Sequence, residues 1–174
     1  MKKYVTFLLA FMAVVFGAKA QENSSKVYTD FYTTFGFFSD KFKEYIPSIS
    51  IGKRSVSENG SGIDFGATGA YLERKSGHDD FVIMFPKVEY IHYGTKEFDN
   101  INGYIGLGAS TAMYRLQEGQ FKGIVGTMTA GVDFFRDKTL NGFIQAKGYY
   151  PILSFFAREG KDFPLMQLDV GLGF

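Results

Sequence analysis

Residues 163–174 read FPLMQLDVGLGF. From Met166 onward every second residue is apolar: Met166, Leu168, Val170, Leu172 and Phe174. Between them lie Gln167, Asp169, Gly171 and Gly173. Successive side chains of a strand point to opposite faces. One face of this stretch is therefore continuously apolar and the other is small or polar. The pattern runs to a terminal aromatic. A soluble sandwich rarely finishes on an exposed phenylalanine, whereas a sheet standing in lipid gains from an aromatic at the edge of its apolar band. The spacing predicts a closing strand with lipid on one side.

The same alternation recurs upstream. Strands are expected at Val27–Phe38, where aromatics on both faces leave the phase weak, and at Ile46–Ser57, with Ile49 and Ile51 opposite Ser48, Ser50 and Arg54. Residues 39–45 read as a loop or one helical turn. Glu58-Asn59-Gly60-Ser61-Gly62 is a hairpin turn, because Asn-Gly supplies the positive φ that a tight turn requires. Ile63–Arg74 follows, with Ile63, Phe65, Ala67, Gly69 and Tyr71 opposite Asp64, Gly66, Thr68 and Arg74. Phe81–Tyr93 sets Val82, Met84, Val88 and Tyr90 against Lys87 and Glu89. Ile101–Arg115, Phe121–Phe135 and Gly142–Phe156 complete the set before the final strand.

The first twenty residues have the form of an export signal: Lys2 and Lys3, an apolar stretch from Tyr4 to Gly17, then Ala18-Lys19-Ala20 as a small-x-small cleavage site. Cleavage after Ala20 leaves residues 21–174 as one domain. It removes three lysines from 19 basic residues, leaving 16 against 18 acidic ones. That balance argues against a nucleic-acid partner. With no cysteine in the chain, neither a lipidated N-terminal Cys nor a disulfide framework is available. After residue 20 no apolar run approaches the roughly 18 to 20 residues that a helical span needs.

Eight alternating segments in lipid admit one solution. Backbone groups at membrane depth must pair within the protein, so the sheet has to close. The expected fold is all-β: an eight-stranded antiparallel up-and-down transmembrane β-barrel, the smallest such strand number. Two features fit it badly. Pro86 and Pro151 fall inside expected strands, each needing a bulge or a strand end. All seven connections are also short, where long outer loops are usual.

The signal ending in Ala18-Lys19-Ala20 before Gln21, the eight segments and the terminal Phe174 resemble the small outer-membrane β-barrel proteins of Gram-negative bacteria, similar to the OmpA membrane domain and OmpX. The Ala-x-Ala-Gln junction looks like those of the Bacteroidetes lineage. The resemblance is one of pattern over residues 21–174. It implies the cell outer membrane as location, a structural or surface-interaction role, and no shared catalytic motif. Its implied partners are outer-membrane lipid, lipopolysaccharide and, through the C-terminal strand, the barrel-assembly machinery.

An eight-stranded barrel has an interior just wide enough for side chains to fill. Asp64, Arg74, Lys87, Glu89, Asp133, Gln145, Lys147, Gln167 and Asp169 fall on the expected inner face. Unpaired buried charge is costly, so these are expected to neutralise one another as a structural plug; a narrow polar conduit is the other reading. The 76–80 stretch, Ser76-Gly77-His78-Asp79-Asp80, gathers a hydroxyl, an imidazole and two carboxylates. Catalysis would need a base at the hydroxyl and a third group orienting it; a weak cation site at His78, Asp79 and Asp80, or a solvated hairpin tip, needs less. His92 reads as an interfacial residue. Gly106/Gly108 and Gly171/Gly173 lack the strand-to-helix setting of a phosphate loop and make room inside the barrel instead. Tyr149, Tyr150, Phe155 and Phe156 read as an aromatic girdle. No catalytic, cofactor or metal residues are expected. Two rivals stand beside this reading: a soluble periplasmic barrel or sandwich holding a small apolar ligand, motivated by Pro86, Pro151 and inward-facing Ile83 and Phe85, and a barrel enzyme modifying lipid A through His78 or His92.

Overall fold

A computed structural model describes residues 27–40, 44–74, 79–94, 101–116, 119–135, 140–158 and 165–174. The signal at residues 1–20, and Ser76 and His78, lie outside them. Eight strands follow in order: β1 Val27–Asp40, β2 Glu44–Ser57, β3 Ser61–Leu72, β4 Asp80–Tyr93, β5 Ile101–Leu116, β6 Gly119–Phe134, β7 Asn141–Arg158 and β8 Leu165–Gly173. Each pairs antiparallel with its neighbours in sequence, and β1 pairs with β8, so the sheet is a closed barrel. The seam finishes with reciprocal backbone bonds between Phe31 and Phe174 at 2.9 and 2.8 Å. β1 and β2 run further than expected, leaving only 41–43 between them. Asn59-Gly60 turns β2 into β3 with Gly60 at φ 80°, and the Asn59 side chain accepts from Ser61 N at 2.9 Å.

The register fixes how the strands lean. Following paired residues once round the wall from Gly103 of β5 leads through Val132, Ile144, Val170, Phe35, Ile49, Gly69 and Ile83 to Met113, again on β5. The walk returns ten residues further along (103 to 113). Such a shear on eight strands goes with a tilt of about 35–45° and an interior filled by side chains.

Alternation decides what faces each way. Outside lie Phe31, Phe35, Ile51, Phe65, Ile105, Leu107, Met128, Ile144, Leu168 and Val170, all exposed. Inside, the lumen is layered. At the mouth carrying the β1–β2, β3–β4, β5–β6 and β7–β8 connections (the far mouth), Phe38, Ile46, Val82, Met84, Tyr114, Leu116, Phe121 and Leu165 form an apolar cluster. At the other, near mouth, Val56, Ile91, Tyr93 and Tyr104 form a smaller one. The polar side chains lie between.

The two prolines have distinct explanations. β4 carries one residue more than both neighbours between Met84 and Lys87. Phe85 and Pro86 therefore both face outward, and the inward phase passes from Val82 and Met84 to Lys87, Glu89, Ile91 and Tyr93. This corrects the expected pattern. Val82 and Met84 are inside, at 0% exposure, while Ile83 and Phe85 are on the outer wall at 49% and 58%. The inward apolar pair that motivated an internal ligand does not exist. The carbonyls of the bulge are met by hydroxyls of β5: Ser110 donates to Pro86 O at 3.0 Å and Thr111 to Phe85 O, which settles polar groups that the ladder has lost. Pro151 lies beside a second irregularity, against Val125. It also lies beyond Tyr149, the last β7 residue paired to β8. Its missing N–H therefore breaks no bond to β8.

Candidate functional site

The middle of the lumen holds the only concentration of buried ionic groups among the described residues, and it is built from side chains reaching across the barrel. Arg54 of β2 is its hub, 3% exposed. Its Nε and Nη2 each donate to Asp64 Oδ2 at 3.2 Å, and its Nη1 donates to Asp133 Oδ1 at 3.2 Å. Tyr93 and Tyr104 hydroxyls and Gln145 Oε1 accept from the same guanidinium. The group stands 4.5 Å from the centroid of the Tyr104 ring and 4.9 Å from that of Phe143, within cation–π range. Tyr32 donates to Asp64 at 2.6 Å and Tyr93 to Asp133 at 2.5 Å, so both carboxylates have a second donor.

A second centre lies beside it. Lys147 Nζ donates to Glu89 Oε2 at 2.8 Å, and Thr129 donates to Oε1 at 3.0 Å. Lys87 Nζ reaches Tyr32 OH at 3.3 Å. Asp169 accepts from Gln145 Nε2 at 3.1 Å and Gln167 Nε2 at 2.8 Å, and Tyr149 donates to Gln167 at 2.5 Å. Three cations and four carboxylates are thus packed together with amides and phenols. Lys87, Asp64 and Asp169 are each 0% exposed, and apolar clusters cover the layer on both sides.

Inward glycines make this crowding possible. A Cβ at Gly131 would stand 2.5 Å from the Tyr104 ring, one at Gly171 2.3 Å from the Phe143 ring, and one at Gly52 2.4 Å from Tyr32 OH. At Gly108 it would meet the Val88 carbonyl at 2.1 Å, and at Gly173 the Asn141 side chain at 2.3 Å. Gly52, Gly131, Gly171 and Gly173 are each the space that an aromatic or polar side chain enters from the neighbouring strand, while Gly108 lets the β4 backbone come close.

The residues expected in the lumen fall as follows. Asp64, Lys87, Glu89, Asp133, Gln145, Lys147, Gln167 and Asp169 are buried in the layer just described. Arg74 is not among them. It sits past the end of β3 at the far mouth, paired with Asp80, because β3 stops at Leu72. Arg54, the hub of the layer, was signalled only by its place opposite Ile49 and Ile51. Tyr32, Tyr93 and Tyr104 had no signal of their own. Tyr149 belongs to the lumen, at 1% exposure, and not to a girdle; Tyr150 and Phe155 do face outward, and the Phe156 side chain lies outside the described set.

The other candidates come apart. Asp79 accepts from Tyr71 OH at 2.8 Å and Arg74 N at 3.2 Å, while Asp80 is held by Arg74. Both carboxylates are engaged as supports of the strand ends, and no group of three or more metal-ligating side chains occurs among the described residues. His92 faces outward near the near mouth, its Nδ1 3.0 Å from Ser61 Oγ. No carboxylate among the described residues orients it, as a serine nucleophile's base would require.

No protein-family model and no curated protein sequence matches the chain. Solved structures do. The chain is similar to Neisserial surface protein A, with a TM-score of 0.64 and 13% identity, covering 87% of this chain and 98% of that one. It is similar also to the N-terminal β-barrel domain of Pseudomonas aeruginosa OprF, with a TM-score of 0.54 and 10% identity, covering 86% of this chain and all of that domain. Closed eight-strand topology, a shear of ten and these likenesses together give the chain the fold of the small outer-membrane β-barrels.

Proposed function

We propose that the protein is an integral outer-membrane barrel with a structural or surface-interaction role in the cell envelope and no catalytic activity of its own. One observation carries this reading: the wall is inside-out for water. Large apolar side chains such as Phe35, Ile105, Met128 and Ile152 are about two-thirds exposed, while the charged groups of the mid-lumen layer are sealed within. In water that surface would far exceed the apolar patch a monomer tolerates. In a bilayer it is the solvent contact that stabilises the fold. Outer-membrane lipid, lipopolysaccharide and the barrel-assembly machinery acting on β8 are the partners that this reading implies. The short connections, from two residues at 117–118 to seven at 73–79 and 94–100, leave the wall as the larger interaction surface.

The test is fractionation with gel mobility. Residues 21–174 should be recovered with outer membranes, need detergent for release, and migrate differently in unboiled and boiled samples. Recovery in the soluble envelope fraction would overturn the reading. Catalysis is addressed at the hydroxyl–imidazole pair seen among the described residues: a Ser61→Ala, His92→Asn strain should show an unchanged lipid profile, and an altered one would make the barrel an enzyme.

A further inference from the structure

Charges of opposite sign stand on the outer wall towards the far mouth, separated by β4. On β5 and β6, Arg115 and Lys122 are both exposed. They are diagonal neighbours: Arg115 pairs with Gln120, and Lys122, two residues on, pairs with Met113. The Arg115 guanidinium lies 5.5 Å from the centroid of the Phe81 ring on β4, within cation–π range. On the other side, Glu73 follows the last residue of β3, continues the outward face of Gly69 and Tyr71, and is exposed. Two strand spacings, roughly 10 Å, keep it from Arg115, and three from Lys122. None of the three makes an ion pair among the described residues.

The wall between them has relief. Gly69 faces outward, and a Cβ built there would meet nothing within 4 Å. Pro47, Ile49, Tyr71, Phe81 and Ile83 wall a recess of about 570 Å³ around it. On the β5 side, Met113 projects outward, 40% exposed. The register sets the levels. Gly69, Ile83, Met113 and Lys122 form one paired row, and Tyr71, Phe81 and Arg115 belong to the next. A shear of ten over eight strands makes a row climb about 1.25 residues of strand per step towards the far mouth. Arg115 is two steps above Tyr71 and Lys122 three above Gly69, while Glu73 lies two residues beyond Tyr71 and four beyond Gly69. At about 3.3 Å per residue and a tilt of about 40°, Glu73 is within about 1–2 Å of the level of both cations. Met113 is likewise level with Tyr71, at the rim of the recess. A two-fold axis facing β4 and parallel to the barrel axis therefore sets β3 of each copy against β5 of the other at unchanged height.

We propose that the β3–β6 wall takes a second copy of this chain. Glu73 of each copy lies between Arg115 and Lys122 of the other, and Met113 of each enters the other's Gly69 recess. The match is isologous: one patch, used twice, is its own complement. Charge complementarity singles out this occupant, since an anionic lipid would answer the two cations and leave Glu73 unanswered, whereas a second copy answers all three. Guanidinium–carboxylate bonds are charge-assisted and bidentate, so they also fix orientation. The proposal rests on the membrane-spanning reading above, because a shared bilayer holds the two barrel axes parallel.

The test is cross-linking of residues 21–174 in lipid vesicles with a short lipid-soluble bis-maleimide. The chain has no cysteine, so Ile83→Cys, beside the two-fold, reports the contact, and Leu168→Cys on β8, across the barrel, reports random collision. At equal protein density Ile83→Cys should give far more dimer than Leu168→Cys. In the Ile83→Cys background, Arg115→Glu with Lys122→Glu brings three like charges together and should weaken association about tenfold or more. Adding Glu73→Lys makes the signs opposite again and should restore the dimer. Gly69→Leu fills the recess with the charges intact and should lower the yield. Equal yields from the two reporters, a charge-reversed pair that associates like wild type, or no rescue by Glu73→Lys would overturn the surface. Mobility of unboiled samples shows separately that each variant is a closed barrel; its failure in wild type would instead sink the membrane-spanning reading.

Discussion

Arg54 shows what a single side chain does in this lumen. It neutralises parts of two carboxylates, on β3 and β6, and stacks against rings from β5 and β7. Arg54→Ala would leave Asp64 and Asp133 buried without their cation, and breaking a buried pair in this way costs about 3–5 kcal/mol. The expected outcome is a clearly lower urea midpoint for unfolding in detergent or lipid vesicles, followed by tyrosine fluorescence or gel mobility. Replacing the whole Lys147–Glu89 pair by Met and Leu should cost far less than removing either partner alone, since an apolar pair of similar volume leaves no orphan charge. If the double variant were as unstable as the singles, the ionic layer would be contributing more than mutual neutralisation. At this scale the sequence was partly readable. Asp64, Glu89, Asp133 and Asp169 stand out because a carboxylate within an alternating strand has few places to go. Tyr32, Tyr93, Tyr104 and Tyr149 do not, because a tyrosine suits either face. Tyr32 and Tyr104 fill the space left by Gly52 and Gly131 on neighbouring strands, Tyr93 reaches the Asp133 carboxylate across the lumen and Tyr149 the Gln167 amide, and these relations exist only once the register is known.

Among the elements, β4 is the one that alternation misreads. A bulge adds a residue without changing composition, and in a period-two pattern one residue inverts every side chain beyond it. Pro86 marked the place but gave no direction. Since the chain has no cysteine, single introduced cysteines report each face cleanly. Ile83→Cys, Phe85→Cys, Val88→Cys and Tyr90→Cys should react with a lipid-soluble maleimide in vesicles. Val82→Cys, Met84→Cys, Lys87→Cys and Glu89→Cys should stay protected. Reactivity at 82 and 84 together with 88 and 90 would restore an unbroken alternation and remove the bulge. β6 and β8 had no such break, and there the phase read from the amino acids is the phase of the wall.

For the molecule as a whole, shear and filling decide between plug and pore. Ten residues of stagger on eight strands fix a radius that side chains can span. Here the apolar cluster at the far mouth, the ionic layer and the tyrosine-rich cluster at the near mouth occupy it in sequence. Wild-type barrels in planar bilayers should therefore show no stepwise conductance, and Tyr114→Ala with Phe121→Ala should not create it, because the Arg54 layer remains beneath. Steady channel openings in wild type would mean that the layer gives way under voltage. The closed architecture itself was legible from eight alternating segments and the demand for paired backbone in lipid. The stagger was not, since it is a sum over eight pairings that no one strand records.

The seam between β1 and β8 joins the two most distant strands in the chain. Contacts of such long sequence separation are slow to form. Until β8 has been synthesised and brought round, β1 keeps an unfilled row of backbone donors and acceptors, open to pairing with any passing chain. Biogenesis therefore has a built-in interval of vulnerability, and a factor that shields the first strand while the last arrives would govern yield more than any contact in the finished cylinder.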